Sequence, residues 1–202
     1  QEAGVLEIRD LSFMSVLVVP DNVTREMRVH VTKADNGTRS IAIASGSVDD
    51  EGQTTWREHV TATGQFVEVD APSPLDLPAI ASRCSVRTDT FAADQESVNM
   101  DFGPRWKNLQ SIRYGQGEAL VTLELPAAFA DDLATYALHP ALMDMATGRC
   151  EALFPEFDPA SDFYVPLSYT RVRVFAPLTQ RIVSHVRVAP SDFDPRELLV
   201  FN

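Results

Sequence analysis

Cysteine is scarce in this chain. Cys84 and Cys150 stand far apart and belong to no paired spacing, which excludes a disulfide framework and a structural zinc site, so no metal is expected. Long hydrophobic runs are missing as well: no stretch of about 18 uncharged apolar residues occurs, so no helix should cross a membrane. The opening QEAGVLEIRD carries acids at Glu2 and Glu7 where a secretory signal needs a basic start and an apolar run. Positive charge is short, with 17 Lys+Arg against 29 Asp+Glu and a formal net charge of -12. That balance repels nucleic acid and anionic lipid surfaces. The acids come as scattered pairs, such as Asp49-Asp50 and Asp131-Asp132, and read as a solvated surface. These absences leave a soluble, cytoplasmic chain with neither nucleic acid nor membrane as partner.

What is present is apolar content, 45% of 202 residues, enough for one large domain or two small fused ones. From Val5 to about Val69 the pattern is strand after strand. LEIRDLSFMSVLVV runs to the turn at Pro20-Asp21-Asn22, and Met27, Val29 and Val31 alternate with Arg28, His30 and Thr32 to put three apolar side chains on one strand face. Asp35-Asn36-Gly37 makes a hairpin turn, and RSIAIASGSV and REHVTATGQFVEV follow on either side of Gly52. This part shows no helix. Gly4 sits where the glycine ending a helix would sit, so residues 1–69 read as a sheet whose covering helix is not in this chain.

Residues 70–89 hold three prolines and no periodicity, and read as an ordered linker. Residues 90–202 form the second unit. A mixed segment, VNMDFGPRWKNLQSIRY, precedes a strand with Ala119, Val121, Leu123 and Leu125 on one face, then a helix, then the strands YTRVRVFAP and RIVSHVRVA. VLVVPDNVTREMRVHVT and VRVFAPLTQRIVSHVRV echo each other as strand, proline turn, strand, which suggests one unit used twice. The architecture expected is α+β, a sheet wrapped round a helix, duplicated.

The helix lies in YALHPALMDMATGRC. Pro140 suits the first helical position, and His139 before it is pushed toward an extended backbone. Leu142, Met145, Ala146 and Leu153 recur at helical spacing with Met143 and Cys150 widening the apolar surface, which predicts a buried helix from about Pro140 to about Phe154. Asp144 falls in its first turns, with Ala141 and Gly148 on the same face. A helix dipole favours a charged carboxylate there and burial a neutral one, so both a capping acid and a proton-holding general acid fit. A glycine inside a helix costs about 1 kcal/mol against alanine, which suggests room left beside the acid.

LHPALMD resembles the HPxxxD motif of dehydratase domains of modular polyketide synthases, which are double hotdog folds. FGPRW, residues 102–106, is similar to the family's YGPxF segment, and VPLSY, residues 165–169, to LPFxW. VLEIRDLSFMSVLVVPD and WREHVTATGQF resemble strands of the first hotdog. The resemblance implies a double hotdog with the first unit incomplete at its N-terminal side. It also implies elimination of water from a β-hydroxyacyl thioester carried on the phosphopantetheine of acyl carrier protein, with no other cofactor. Asp144 becomes the general acid, and Phe102, Gly103, Pro104, His139, Pro140, Gly148, Pro166 and Leu167 become substrate-binding residues. Acyl carrier protein and neighbouring synthase domains are the implied partners, with a homodimer formed through the parent synthase.

Two departures accompany the resemblance. The family shows Gln or His four residues past the acid, a side chain that helps orient it, and here that position is Gly148. The family's base, a histidine in HxxxGxxxxP, has no match among these residues. Of the histidines present, His30 and His185 read as surface or satisfied side chains, His59 as structural beside Trp56, and His139 as holding the helix start. Other outcomes stay open: a DH-like enoyl isomerase, against which Asp144 argues, a non-catalytic structural or docking module, and a thioesterase-like hotdog hydrolase, for which no motif stands out.

Overall fold

The computed structural model describes residues 4–48, 51–91 and 101–202. The pair Asp49-Asp50 and the start of the mixed segment, residues 98–100, lie outside the described residues. The chain divides into two compact units, one of residues up to Pro72 with Pro166–Phe175, the other of Ser73–Val165 with Ala176–Asn202.

The first unit is a five-stranded antiparallel sheet in the order β2-β3-β4-β1-β8, made of β1 (Val5–Phe13), β2 (Glu26–Lys33), β3 (Arg39–Val48), β4 (Thr54–Val67) and β8 (Ser168–Val174). The β2–β3 hairpin closes as its sequence predicts: Gly37 has φ +84°, and the backbone N–H and hydroxyl of Thr38 both donate to Asn36 Oδ1. Cross-strand pairs put Val31, Ile41 and Ala62 in one row and Phe66, Leu6 and Val174 in another. Directly paired residues share a face, so one side of the sheet is apolar across all five strands. No helix covers it among the described residues of this unit, and all of β2 is exposed. The other side is polar. There Glu7, fully buried, accepts from Gln65 Nε2 at 2.8 Å, Arg9 Nε at 2.6 Å and Arg173 Nε at 2.6 Å, which ties β1 to β4 and β8. These three donors, Gln65 foremost, hold the Glu7 carboxyl down to about 2.

Several expectations change here. The first strand ends at Phe13, not near Pro20, and Val16–Val19 are exposed and outside any strand. A register shift with Asp10 at φ +50° interrupts the pairing between Arg9 and Ser12, it resumes to Phe13, and beyond that Ser15 is fastened to Glu58 O and His59. Gly4 is explained by strand pairing: a Cβ there would lie 2.8 Å from Val67 O. His59 is structural, set between Ser15 and Ser45, but Trp56 partners the Arg28 guanidinium at 3.9 Å from its ring centroid. YTRVRVFAP, expected in the second unit, joins the first sheet through β1, because Val172 and Val174 continue its apolar face while Arg173 reaches Glu7. The internal echo therefore has no structural counterpart: its first copy begins outside a strand, and its second links strands of different sheets.

The second unit is a four-stranded antiparallel sheet, β5-β6-β7-β9, of β5 (Arg87–Thr90), β6 (Leu109–Tyr114), β7 (Glu118–Glu124) and β9 (Arg181–Arg187). Ala119, Val121 and Leu123 alternate onto the face that packs with Leu142, Met145 and Ala146 of α2 (Pro140–Thr147). Burying each large side chain there contributes about 1.5–3 kcal/mol. Ser184 Oγ donates to Ala146 O at 2.9 Å and fixes the helix to β9.

From Ser73 on, the expected linker is part of this unit. It carries α1 (Leu77–Arg83), whose start is capped by Asp76 Oδ1 accepting from Ala79 N and which has a proline in its first turn. Ile80 and Cys84 pack on Leu120, which projects from β7 on the side opposite Val121, so α1 and α2 lie on opposite faces. Arg83 forks onto Glu118, and His185 contacts the same carboxylate at 2.8 Å. Arg83 first and His185 second hold Glu118 down to about 2.

Candidate active site

Three short segments of the second unit converge on α2. The first is a 3-10 turn, Pro104–Trp106, which follows Gly103 and opens on a proline whose missing N–H costs nothing there. The second is a longer 3-10 segment, Ala127–Ala134, carrying Asp132. The third is the helix start at His139-Pro140, where His139 has the extended backbone that a following proline demands and its carbonyl accepts from Met143 N at 3.0 Å.

Hydrogen bonds lock these pieces together. Buried Asn108 donates through Nδ2 to Arg105 O at 2.9 Å and Ala141 O at 3.1 Å, joining the Pro104–Trp106 turn to the first turn of α2. Arg105 lies over the Phe129 ring and binds Asp132 through Nε at 2.6 Å. Arg105 first and His139 second hold the Asp132 carboxyl below its usual range. His139, fully buried, approaches Asp132 Oδ2 at 3.4 Å and meets Tyr136 edge to face. Trp106 Nε1 donates to Asp144 Oδ2 at 2.6 Å, a short contact between a neutral donor and a carboxyl oxygen. Two buried atoms, Asn108 Oδ1 and His139 Nδ1, have no hydrogen-bond partner among the described residues.

The helix is shorter than its sequence suggests. It ends at Thr147, and Gly148 is its C-cap, with its N–H on Asp144 O at 3.0 Å. A separate 3-10 turn, Glu151–Leu153, supplies the apolar residues that continue the helical spacing. Asp144 is therefore fifth of eight residues and lies beyond the first turn, where the helix dipole acts most strongly. Gly148 is not inside the helix, so the cost of a glycine within a helix does not apply to it; a Cβ there would sit 3.2 Å from the backbone carbonyl oxygen of Asp144. Cys150, just past the helix, is pushed up to about 12 by burial and is an inert thiol at neutral pH.

Phe102, Gly103, Pro104, His139, Pro140 and Gly148 all belong to the unit that carries Asp144. Gly103 and Pro104 are exposed, Phe102 and Gly148 half-buried. Pro166 and Leu167 are both exposed and belong to the first unit, in the run entering β8. Trp106, Asn108, Arg105 and Asp132 are site residues that motif reading passed over. Trp106 was visible only as a substitution within the FGPRW segment. Among the described residues, no three His, Cys, Asp or Glu side chains cluster as metal ligands, and no helix is long and apolar enough to cross a membrane.

Residues 72–196 match the family model described as the polyketide synthase dehydratase N-terminal domain. The chain belongs to this family. It is 25% identical over 195 residues to polyketide synthase PksM of Bacillus subtilis strain 168, an alignment that covers 92% of this chain and 4% of that protein. A trans-AT polyketide synthase dehydratase domain from Brevibacillus brevis superposes with a TM-score of 0.84 at 16% identity, over 98% of this chain and 68% of that one. The CurK dehydratase superposes in two inactive forms. One has a histidine replaced by phenylalanine (TM-score 0.79, 19% identity, 100% of this chain and 74% of that one), the other an aspartate replaced by asparagine (0.75, 19%, 94% and 66%). These likenesses establish an α+β hotdog fold for the dehydratase-family chain. It spans only about 4% of the length of the large synthase it matches.

Proposed function

We propose that this chain is part of a dehydratase that eliminates water from a β-hydroxyacyl thioester held on acyl carrier protein, and that Asp144 is its general acid. The carrying observation is the Asp144 carboxyl, half-buried on α2 and engaged through Oδ2 by a donor from a second segment. In the step proposed, a base removes the proton at the α carbon and the α–β double bond forms. The bond from the β carbon to the hydroxyl oxygen breaks as Asp144 gives that oxygen its proton, and water leaves. The exposed Gly103-Pro104 backbone and Phe102 offer the acyl chain a wall on the same unit. The inactive aspartate-to-asparagine form of the CurK dehydratase supports an essential aspartate in a protein of this fold.

The α-carbon base is assigned to a histidine of the HxxxGxxxxP type, which these 202 residues do not contain. His59 is held between two serines and His185 faces Glu118, engagements that suit structural roles. The substrate's phosphopantetheine is the only prosthetic group the reaction needs. Acyl carrier protein and adjoining synthase domains are the partners, as the length of the synthase relatives suggests.

The test is to incubate β-hydroxyacyl thioesters on carrier protein with this chain alone, with a longer protein that includes a histidine-bearing segment, and with Asp144→Asn in the longer protein, following loss of water by mass. Turnover is expected only in the second, with Asp144→Asn slower by about 10²–10⁴-fold. Full activity of Asp144→Asn would return Asp144 to a structural role. Activity of the chain alone would place the base among its own four histidines.

A further inference from the structure

We infer that Trp106 is the positioning residue of Asp144, and that it fixes which carboxyl oxygen carries the proton. This rests on the dehydratase reading for its catalytic sense, and on geometry for the contact itself.

Position 148, four residues past Asp144, is the C-cap that ends α2. Gly148 has no side chain, and its N–H is committed to Asp144 O. The helix therefore leaves the carboxyl without an orienting group of its own at that position. Trp106 supplies one from another segment, at 2.6 Å. Its indole is well anchored for the task. Asn108 ties the carbonyl of Arg105 to α2, the Arg105 side chain is paired with Asp132, the Trp106 backbone N–H closes the turn on Gly103 O, and the ring packs against the core. An anchored donor aimed at one oxygen holds the acid's torsion as well as its place.

The indole N–H donates and cannot accept. Asp144 Oδ2 must therefore act as acceptor, and a protonated Asp144 carries its hydrogen on Oδ1. A side-chain amide would impose no such choice, since it can both donate and accept. When Oδ1–H breaks and the proton passes to the departing hydroxyl, negative charge grows on the carboxyl, and the bond from Trp106 strengthens as it does. Such an interaction favours the transition state over the ground state.

Trp106→Phe keeps a large ring and removes only the donor. In the longer, active protein it should lower kcat by about 10–100-fold, the range for losing a group that orients another, with KM changed by less than about twofold. Trp106→Phe should add nothing to Asp144→Asn, whereas a role in packing alone predicts that the two losses add. On this 202-residue chain, two tryptophans give two indole N–H resonances in a 15N-labelled sample, and the one lost in Trp106→Phe should move when Asp144→Asn is introduced. An unmoved resonance, or a Trp106→Phe enzyme at full speed beside a dead Asp144→Asn, overturns the inference and leaves the dehydratase reading standing. A fully active Asp144→Asn overturns the dehydratase reading and the catalytic sense of this inference together, while the moved resonance would still establish the contact.

Discussion

The two sheets carry similar apolar rows and treat them differently. In the second unit Ala119, Val121 and Leu123 face α2 with no exposure at all. In the first, Val29 and Val31 occupy equivalent alternating positions and are 64% and 56% exposed. Alternation says which side chains share a face; it does not say whether anything lies on that face. The first unit holds its strands with polar contacts, above all the fan of donors on Glu7, whereas the second is organised round a helix.

That contrast is sharpest in truncation experiments. Leu142→Ala removes a fully buried side chain from the α2 interface and should destabilise the second unit by about 2–5 kcal/mol in denaturant unfolding. Val31→Ala on the open face should cost less than about 0.5 kcal/mol in this chain. Similar costs for the two would mean that the apolar face of the first sheet is covered in solution, by a second copy or otherwise.

Acid should act on both units through different staples. Glu7 and Glu118 each have a folded-state value of about 2 against an ordinary 4.5. A carboxyl depressed on folding stabilises the folded state fully above its unfolded value and loses that contribution as pH falls through the folded one. Stability should therefore decline between about pH 4.5 and 2. Glu7→Gln should flatten the decline for the first unit and Glu118→Gln for the second, read by hydrogen exchange of β1 and β7 amides along a pH series. A decline that neither substitution changes would assign acid sensitivity to other groups.

The same contrast explains how much was legible in the sequence. The β7 face and the helix start at Pro140 were readable, because period-two alternation and a proline at the first helical position are local signals. The helix end was not: Cys150 and Leu153 keep apolar spacing across a break that Gly148 makes, and spacing does not register a cap. Seven residues of α1 are too few for periodicity to emerge among prolines, although Asp76 and Pro78 marked its start. The pairing of β8 with β1 joins residues more than 150 apart and leaves no local trace. At the acid, FGPRW ends in tryptophan and the residue four past Asp144 is glycine, but only the folded chain shows that Trp106 reaches the Asp144 carboxyl.

The smallest effect expected is the most informative about the open face. Val29→Lys places a charge on β2, where both faces of the strand are exposed in this structure. In the 202-residue chain it should shift the unfolding midpoint little, within about 0.5 kcal/mol, since a surface lysine keeps its hydration. It should also lower self-association measured by sedimentation, because it interrupts a contiguous apolar surface. In a longer protein whose added residues lie on that face, the same lysine would be buried without a partner, and the cost should rise well above the surface range. Equal, small costs in the short and long proteins would mean that β2 stays open in both. A cost confined to the long one would locate a cover over Val29 and Val31, as the second unit has its own over Val121.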